Sequence, residues 1–172
     1  AGDSAGAGPA NDGPKDGGGG APDAQKNDMP SGTIAGKQVS RLILGGNLIN
    51  HYTHSRDLKY VYNLAAHYNT EEKILETFAE AERHGINWLV ADPLGCQPIL
   101  KKYRRERGGD MQWIMCPHAE GTSDMREYMK EAEQIVNNGA SALYVWGVRT
   151  DRLYARDRID MIKRAVAVGK GL

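Results

Sequence analysis

Two titratable side chains follow apolar runs that predict buried strands, and they are the first candidates for chemistry. Asp92 comes directly after the run 86–91, and His118 comes two residues after the run 111–116. In barrel enzymes the functional groups lie at the carboxyl ends of strands and in the loops that follow. An imidazole exchanges protons near neutral pH, and a carboxylate can act as acid, base or hydroxyl acceptor. His118 and Asp92 are therefore the predicted catalytic residues, although a turn-forming role before Pro93 explains Asp92 equally well.

Side chains after the other strand ends are the predicted substrate contacts. The longest such segment, residues 48–69, carries three of the five histidines and four of the eight tyrosines. A connection of this length is typical of lids and binding loops, and flat aromatic rings with polar tips suit stacking on sugars. The alternative is a structural loop that packs its own aromatic rings over the barrel rim. The predicted substrate-binding residues are Asn47, His51, Tyr52, His54, Glu120, Arg149 and Asp151.

Some of these residue types also occur in other kinds of site. Arg149 and Asp151 either bind an anionic substrate or pair with each other on the surface. The spacings of His51 with His54 and of His118 with Glu120 match no dedicated metal motif, so no metal ligands are predicted.

Two cysteines and three tryptophans complete the residues considered for the site or the core. Cys96 and Cys116 follow neighbouring strands and are expected to be buried and inert, with a disulfide or a reactive thiolate as the alternatives. Trp88, Trp113 and Trp146 lie in periodic apolar runs and are expected in the core.

A repeating order of strands and helices must position these side chains. The predicted strands are a hairpin over 33–39 and sheet strands over 39–44, 86–91, 111–116 and 142–146. Helices are predicted from Thr70 to about 84 and over about 97–107, 123–138 and 157–168. Strands that alternate with helices through short connections predict a parallel sheet with right-handed crossovers. Because no G-x-G-x-x-G follows the first sheet strand, a (β/α)₈ barrel is favoured over an open dinucleotide-binding sheet.

Composition divides the chain into two parts. Residues 1–28 contain eight Gly, three Pro and five Asp but no Val, Ile, Leu or aromatic residue, which predicts a disordered linker. Residues 29–172 are predicted to be α/β, the N-terminal half of a (β/α)₈ TIM barrel with about four βα units. The chain stops where a fifth strand is expected, which predicts truncation at the C-terminus.

Charge and hydropathy narrow the class of partner. The chain has 22 basic and 22 acidic residues, so no overall positive field attracts nucleic acid, and the basic run 101–107 is interpreted as a solvated helix face. No apolar run approaches the roughly 18 residues that a membrane span needs. The expected partner is a small-molecule substrate, and the oligomeric state is left open.

Two passages resemble the aldo-keto reductases. These are G-K-Q-V-S-R-L-I-L-G-G at 36–46 and A-E-R-H-G-I-N-W at 81–88. The resemblance implies an oxidoreductase that acts on a carbonyl or a sugar with NADP as its cofactor, and nothing else in the sequence points to a cofactor. The family's catalytic tetrad falls on Leu89 and Leu94, near Cys116 or Pro117, and near Gly147, so the tetrad is not matched.

The whole foldable part resembles more fully a group of exported bacterial barrel proteins of unassigned reaction. The shared passages are G-G-N-L-I at 45–49, H-S-R-D-L-x-Y-V at 54–61 and G-A-x-A-x-Y-V-x-G at 139–147. This resemblance implies an extracytoplasmic location, with an export signal that this chain does not contain. The candidate functions are a reductase, a non-redox aldolase, isomerase or hydrolase acting on a carbohydrate-like substrate, and a non-catalytic ligand-binding barrel. Whether the protein is an enzyme is left open.

Overall fold

The structure, a computed structural model, describes residues 29–119 and 125–172. It is α/β, as predicted, with a hairpin followed by strands that alternate with helices. The strands are β1 (Ser31–Ile34), β2 (Lys37–Ser40), β3 (Leu44–Gly45), β4 (Trp88–Ala91), β5 (Gln112–Met115) and β6 (Ala142–Leu143). The helices are α1 (Asn47–Asn50), α2 (Lys59–Tyr68), α3 (Glu71–Arg83), α4 (Pro93–Arg107), α5 (Arg126–Asn137), α6 (Gly147–Ala155) and α7 (Ile159–Gly171). The predicted linker over 1–28 lies outside the described residues.

Strands β3, β4, β5 and β6 form one parallel sheet in which chain neighbours are also spatial neighbours. Helices connect each strand to the next, and such connections are nearly always right-handed. Strands in sequential order therefore receive their helices on the same face of the sheet. A half-barrel is one architecture of this kind, and it stays a prediction.

Burial differs between the two faces of the sheet. Side chains alternate between the faces along a strand, and the register of the four strands sorts them into two sets. The buried set is Leu89, Ala91, Trp113 and Met115, which pack in the hydrophobic core under the helices. The other set is Gly45, Trp88, Val90, Gln112, Ile114 and Ala142; Trp88, which is bonded to the hairpin, is buried, and the others are not fully buried. We call this second surface the open face.

Helices α3 and α4 cover the buried face through aromatic contacts. The rings of Phe78 and Tyr103 meet edge to face with centroids 5.3 Å apart, and the Tyr103 hydroxyl donates to Glu82 at 2.7 Å. The guanidinium of Arg104 lies 3.9 Å from the ring centroid of Trp113. Burial of these large rings stabilises this layer, and the Tyr103 hydroxyl has a polar partner, whereas the buried indole N–H of Trp113 has no hydrogen-bond partner among the described residues.

The hairpin of β1 and β2 closes the amino end of the sheet. Its two-residue turn places Ala35 and Gly36 at positive φ, as tight hairpin turns require. The indole nitrogen of Trp88 donates to the carbonyl of Gln38 at 2.8 Å, and this bond fixes the hairpin to β4.

Several predicted elements are corrected by the structure. The predicted strand 39–44 is wrong, because the Ser40 hydroxyl bonds to the carbonyl of Leu42 at 2.6 Å, so the chain turns between β2 and β3. Segment 48–69 is not one loop, because it contains most of α1 and all of α2. Helix α6 was not predicted. The fourth sheet strand ends at Leu143, three residues earlier than predicted.

The basic run 101–107 lies on α4 and contacts acidic side chains. Lys102 pairs with Glu71, and Arg107 pairs with Glu72, so α4 is linked to the start of α3. These pairs are exposed and contribute little to stability. Within 29–119 and 125–172, none of the helices is long and apolar enough to cross a membrane.

Gly46 lies so close to β4 that a larger residue there should destabilise the fold. Its N–H donates to the carbonyl of Val90 at 2.7 Å, and a Cβ at this position would lie 2.8 Å from the Cα of Ala91. Because backbone cannot move as a side chain can, we expect Gly46→Ala to cost about 1–3 kcal/mol of unfolding free energy in urea titrations. The control is Gly45→Ala, whose Cβ would meet no atom within 4 Å. Equal stability of the two variants would contradict the prediction.

Candidate active site

Residues just past the strand ends continue the alternation of the sheet. Tyr144 extends the ladder, since its N–H donates to the carbonyl of Met115 at 2.9 Å. Asp92, Cys116 and Tyr144 each lie two residues beyond an open-face residue, so alternation predicts that they share that face. Burial raises the pKa of Tyr144, and the neighbouring Cys116 side chain raises it further, which agrees with this placement. The carboxyl end of the open face is therefore polar.

The two predicted catalytic residues are in contact at this end of the sheet. Nε2 of His118 lies 2.7 Å from Oδ2 of Asp92, and the two side chains are 24 % and 21 % exposed. Nε2 makes no well-directed hydrogen bond to this carboxylate, and the close contact becomes an ion pair when the imidazole is protonated. Nε2 is buried and has no other partner in the described part of the chain. We call Asp92 and His118 the acid–base pair.

Asp92 also forms the turn that the sequence suggested as its alternative role. Its Oδ1 accepts the N–H of Leu94 at 2.8 Å, so Asp92 caps the start of α4. Gly95 follows at φ 86°, and the chain becomes regularly helical only beyond it. One carboxylate therefore holds the helix start with one oxygen and faces His118 with the other.

Trp146 was predicted to be a core residue, and this is wrong. The indole is 40 % exposed because β6 ends at Leu143 and leaves Trp146 at the carboxyl edge. Its ring stacks on His118, with centroids 5.4 Å apart and planes 15° from parallel. The stack covers one side of the imidazole with a flat apolar surface and leaves part of the indole in contact with solvent.

The main chain around His118 is held by two charged side chains. Both carboxylate oxygens of Glu131, on α5, accept from the N–H groups of His118 and Ala119, at 2.7 and 2.5 Å. The guanidinium of Arg149, on α6, donates to the carbonyls of Pro117, His118 and Ala119. Arg149 was predicted to bind an anionic substrate or to pair with Asp151, and its hydrogen bonds within the described residues go to these carbonyls.

The remaining predicted substrate contacts have no hydrogen bond or ion pair to the acid–base pair within the described ranges. Asn47 begins α1, and His51 ends it with φ 58° and donates to the carbonyl of Asn69 at 3.3 Å. Three further predicted contacts are exposed: Tyr52, His54 and Asp151. Glu120 lies outside the described residues.

Tyr144 and Glu131 are site residues that the sequence analysis missed. Tyr144 comes directly after β6, as Asp92 comes directly after β4. If the end of β6 had been predicted at Leu143, Tyr144 would have been a candidate site residue. Glu131 has no local signal, because it lies 13 residues from His118 and the helical spacing does not distinguish it from the exposed Glu127 and Glu133 of the same helix.

Both cysteines are buried free thiols beside the acid–base pair. Burial raises the pKa of Cys96 to about 12, with a further rise from the negative charge of Asp92. Burial also raises the pKa of Cys116. A raised pKa favours the neutral thiol, which is a poor nucleophile.

We expect both thiols to resist Ellman's reagent at pH 8 in the folded protein and to react fully in urea. The Cys96 thiol ionises at a lower pH in the unfolded chain than in the folded protein. Its contribution to stability is therefore fully present below the ordinary thiol pKa of 9.0 and is lost as the pH rises towards the folded-state pKa of about 12. Ala66→Cys, on exposed α2, should react without denaturant and serves as the positive control. Rapid reaction of native Cys96 or Cys116 would contradict the expectation.

Neither a group of metal ligands nor similarity to known proteins assigns a function to this site. Residues 29–119 and 125–172 contain no group of three or more His, Cys, Asp or Glu side chains placed to hold a metal ion. Searches of family models, curated proteins and solved structures found no match to this chain. The proposed chemistry therefore rests on the geometry described above.

Proposed function

We propose that this chain is the amino-terminal half of a (β/α)₈ barrel and that it supplies the acid–base pair of the barrel's active site. Sequential strand order and helices on one face are features of a barrel. A doubly wound sheet has helices on both faces and a break in strand order. The open face, with its partly buried apolar side chains, would line the barrel interior.

The proposed reaction is proton transfer on a carbohydrate-like molecule, as in an isomerase, aldolase or hydrolase. The observation that carries this proposal is the 2.7 Å contact between Asp92 and His118 at the carboxyl edge of the sheet. The Asp92 carboxylate stabilises a protonated imidazole and restrains its ring. Since Nε2 is buried against Asp92, Nδ1 is the nitrogen that would exchange a proton with the substrate.

Trp146 supports a neutral, ring-shaped substrate. A partly exposed indole beside a proton-transfer group offers a flat surface on which the apolar face of a sugar can pack. Arg149 is bonded to main-chain carbonyls, so its guanidinium is not aimed at a substrate phosphate or carboxylate.

The reductase alternative gains less support from these residues. The positions at which the aldo-keto reductase resemblance expects acid–base groups include Leu89, which is fully buried, and Leu94, which is exposed and apolar. Neither side chain can transfer a proton to a carbonyl oxygen. The described residues therefore do not fit nicotinamide-dependent reduction by that tetrad, and no step is assigned to such a cofactor.

A substrate screen with matched variants tests the proposal. The full-length natural protein would be assayed for aldose–ketose isomerisation, retro-aldol cleavage and glycoside hydrolysis, with NADPH-dependent reduction as the competing activity. We expect turnover in one of the first three assays, retention in His84→Gln on the exposed end of α3, and loss in His118→Gln. Unchanged turnover in His118→Gln, or activity only with NADPH, would overturn the proposal.

A further inference from the structure

We infer that Glu131 and Arg149 are positioning residues that fix His118 through its main chain, an inference that rests on the acid–base role proposed for His118. Residues 117–119 belong to no strand or helix. Buried or partly buried main-chain groups need hydrogen-bond partners, and here two charged side chains supply them. The two side chains come from α5 and α6, so packing of those helices determines where His118 lies.

Glu131 holds the donors of this segment. Its two carboxylate oxygens accept from consecutive N–H groups, those of His118 and Ala119. A carboxylate can bind two adjacent donors at once, whereas a glutamine amide has only one accepting oxygen. Glu131→Gln would thus keep the size of the side chain and lose one of the two bonds.

Arg149 holds the acceptors of the same segment. Its planar guanidinium donates to three consecutive carbonyls, a fork that the ammonium group of a lysine cannot reproduce. The same guanidinium carbon lies 5.8 Å from the ring centroid of Trp146, which stacks on the His118 ring. Arg149 therefore contacts both the main chain of His118 and the indole beside its imidazole.

These contacts act on His118 from both sides of its Cα. Its own N–H is bonded to Glu131, and its own carbonyl is bonded to Arg149. Loss of either bond frees the backbone to rotate, which moves the imidazole away from its 2.7 Å contact with Asp92. Misplacement of a catalytic group by about 1 Å can lower the rate about 10²-fold.

The test compares matched variants of the full-length protein. Glu131→Gln is paired with Glu133→Gln on the same helix, and Arg149→Lys is paired with Arg152→Lys; both control positions are exposed. The readouts are amide hydrogen exchange at 118 and 119, the NMR signals of the His118 ring and, on the substrate from the screen, kcat and KM. Urea unfolding of each variant checks that the fold remains intact.

We expect Glu131→Gln to lower amide protection over 118 and 119, and both Glu131→Gln and Arg149→Lys to shift the His118 ring signals and lower kcat about 10- to 100-fold with KM little changed. Both controls should match the natural protein. If Glu131→Gln does not fold, Arg149→Lys is decisive by itself.

Unchanged exchange and ring signals in both variants would overturn the positioning role, and so would altered exchange with unchanged kcat. An active His118→Gln protein would instead refute the proposed function. The two failures are therefore distinguishable.

Discussion

Asp92→Asn should lower kcat by about 10²–10⁴-fold, the usual contribution of a general acid–base group, while the fold stays intact. Asparagine keeps an oxygen that can accept the N–H of Leu94, so the start of α4 retains its cap. It removes the negative charge that faces Nε2 of His118. The imidazole then loses both its restraint and the stabilisation of its protonated form.

Steady-state kinetics on the substrate from the screen measure the kinetic effect, and urea unfolding measures stability. Asp92→Ala loses both the cap and the charge, so it should show the same kinetic defect with about 1 kcal/mol of additional destabilisation. Asp57→Asn, at an exposed position before α2, is the matched control. Normal kcat in Asp92→Asn would show that the carboxylate serves only the turn.

Trp113→Ala should destabilise the protein by about 3–5 kcal/mol, the usual cost of deleting a large buried ring. Trp113 is 1 % exposed on the helix-covered face of the sheet. The variant also loses the contact between this ring and the Arg104 guanidinium. A typical domain has only about 5–15 kcal/mol of stability, so the variant would be close to unfolding at room temperature.

The neighbouring residue provides the control for this prediction. Ile114 belongs to the open face and is half-buried. We therefore expect Ile114→Ala to lower the free energy of unfolding by about 1–2 kcal/mol, less than the loss expected for a fully buried isoleucine. Urea titrations of both variants measure the difference. Comparable losses would mean that both faces of the sheet are equally covered, which would contradict the open face.

The central strands could be predicted because each is a compact apolar run with a clear boundary. β4 ends before Asp92-Pro93, and β5 lies between Gly108-Gly109 and Pro117. Strands β3 and β6 have only two residues each, so their limits depend on neighbouring strands rather than on local pattern. Helix α2 escaped prediction because it has no buried residue, so its sequence does not separate a core-facing side from a solvent-facing side.

The acid–base pair could be predicted because it depends only on strand order. If two neighbouring parallel strands end at the same edge, the residues that follow them are close together whatever the details of packing. The contacts of Glu131 and Arg149 depend instead on how α5 and α6 sit against residues 117–119. That placement comes from tertiary packing, and no spacing along the chain encodes it.

The position of Trp146 makes the intrinsic fluorescence of the protein a reporter of binding beside His118. Trp88 and Trp113 are buried, so polar quenchers in solution reach mainly Trp146. A molecule that settles on this indole displaces water from it and shields it from such quenchers, while the emission of the two buried rings changes little. Binding of candidate ligands can therefore be followed optically in the unlabelled protein, before any turnover assay exists.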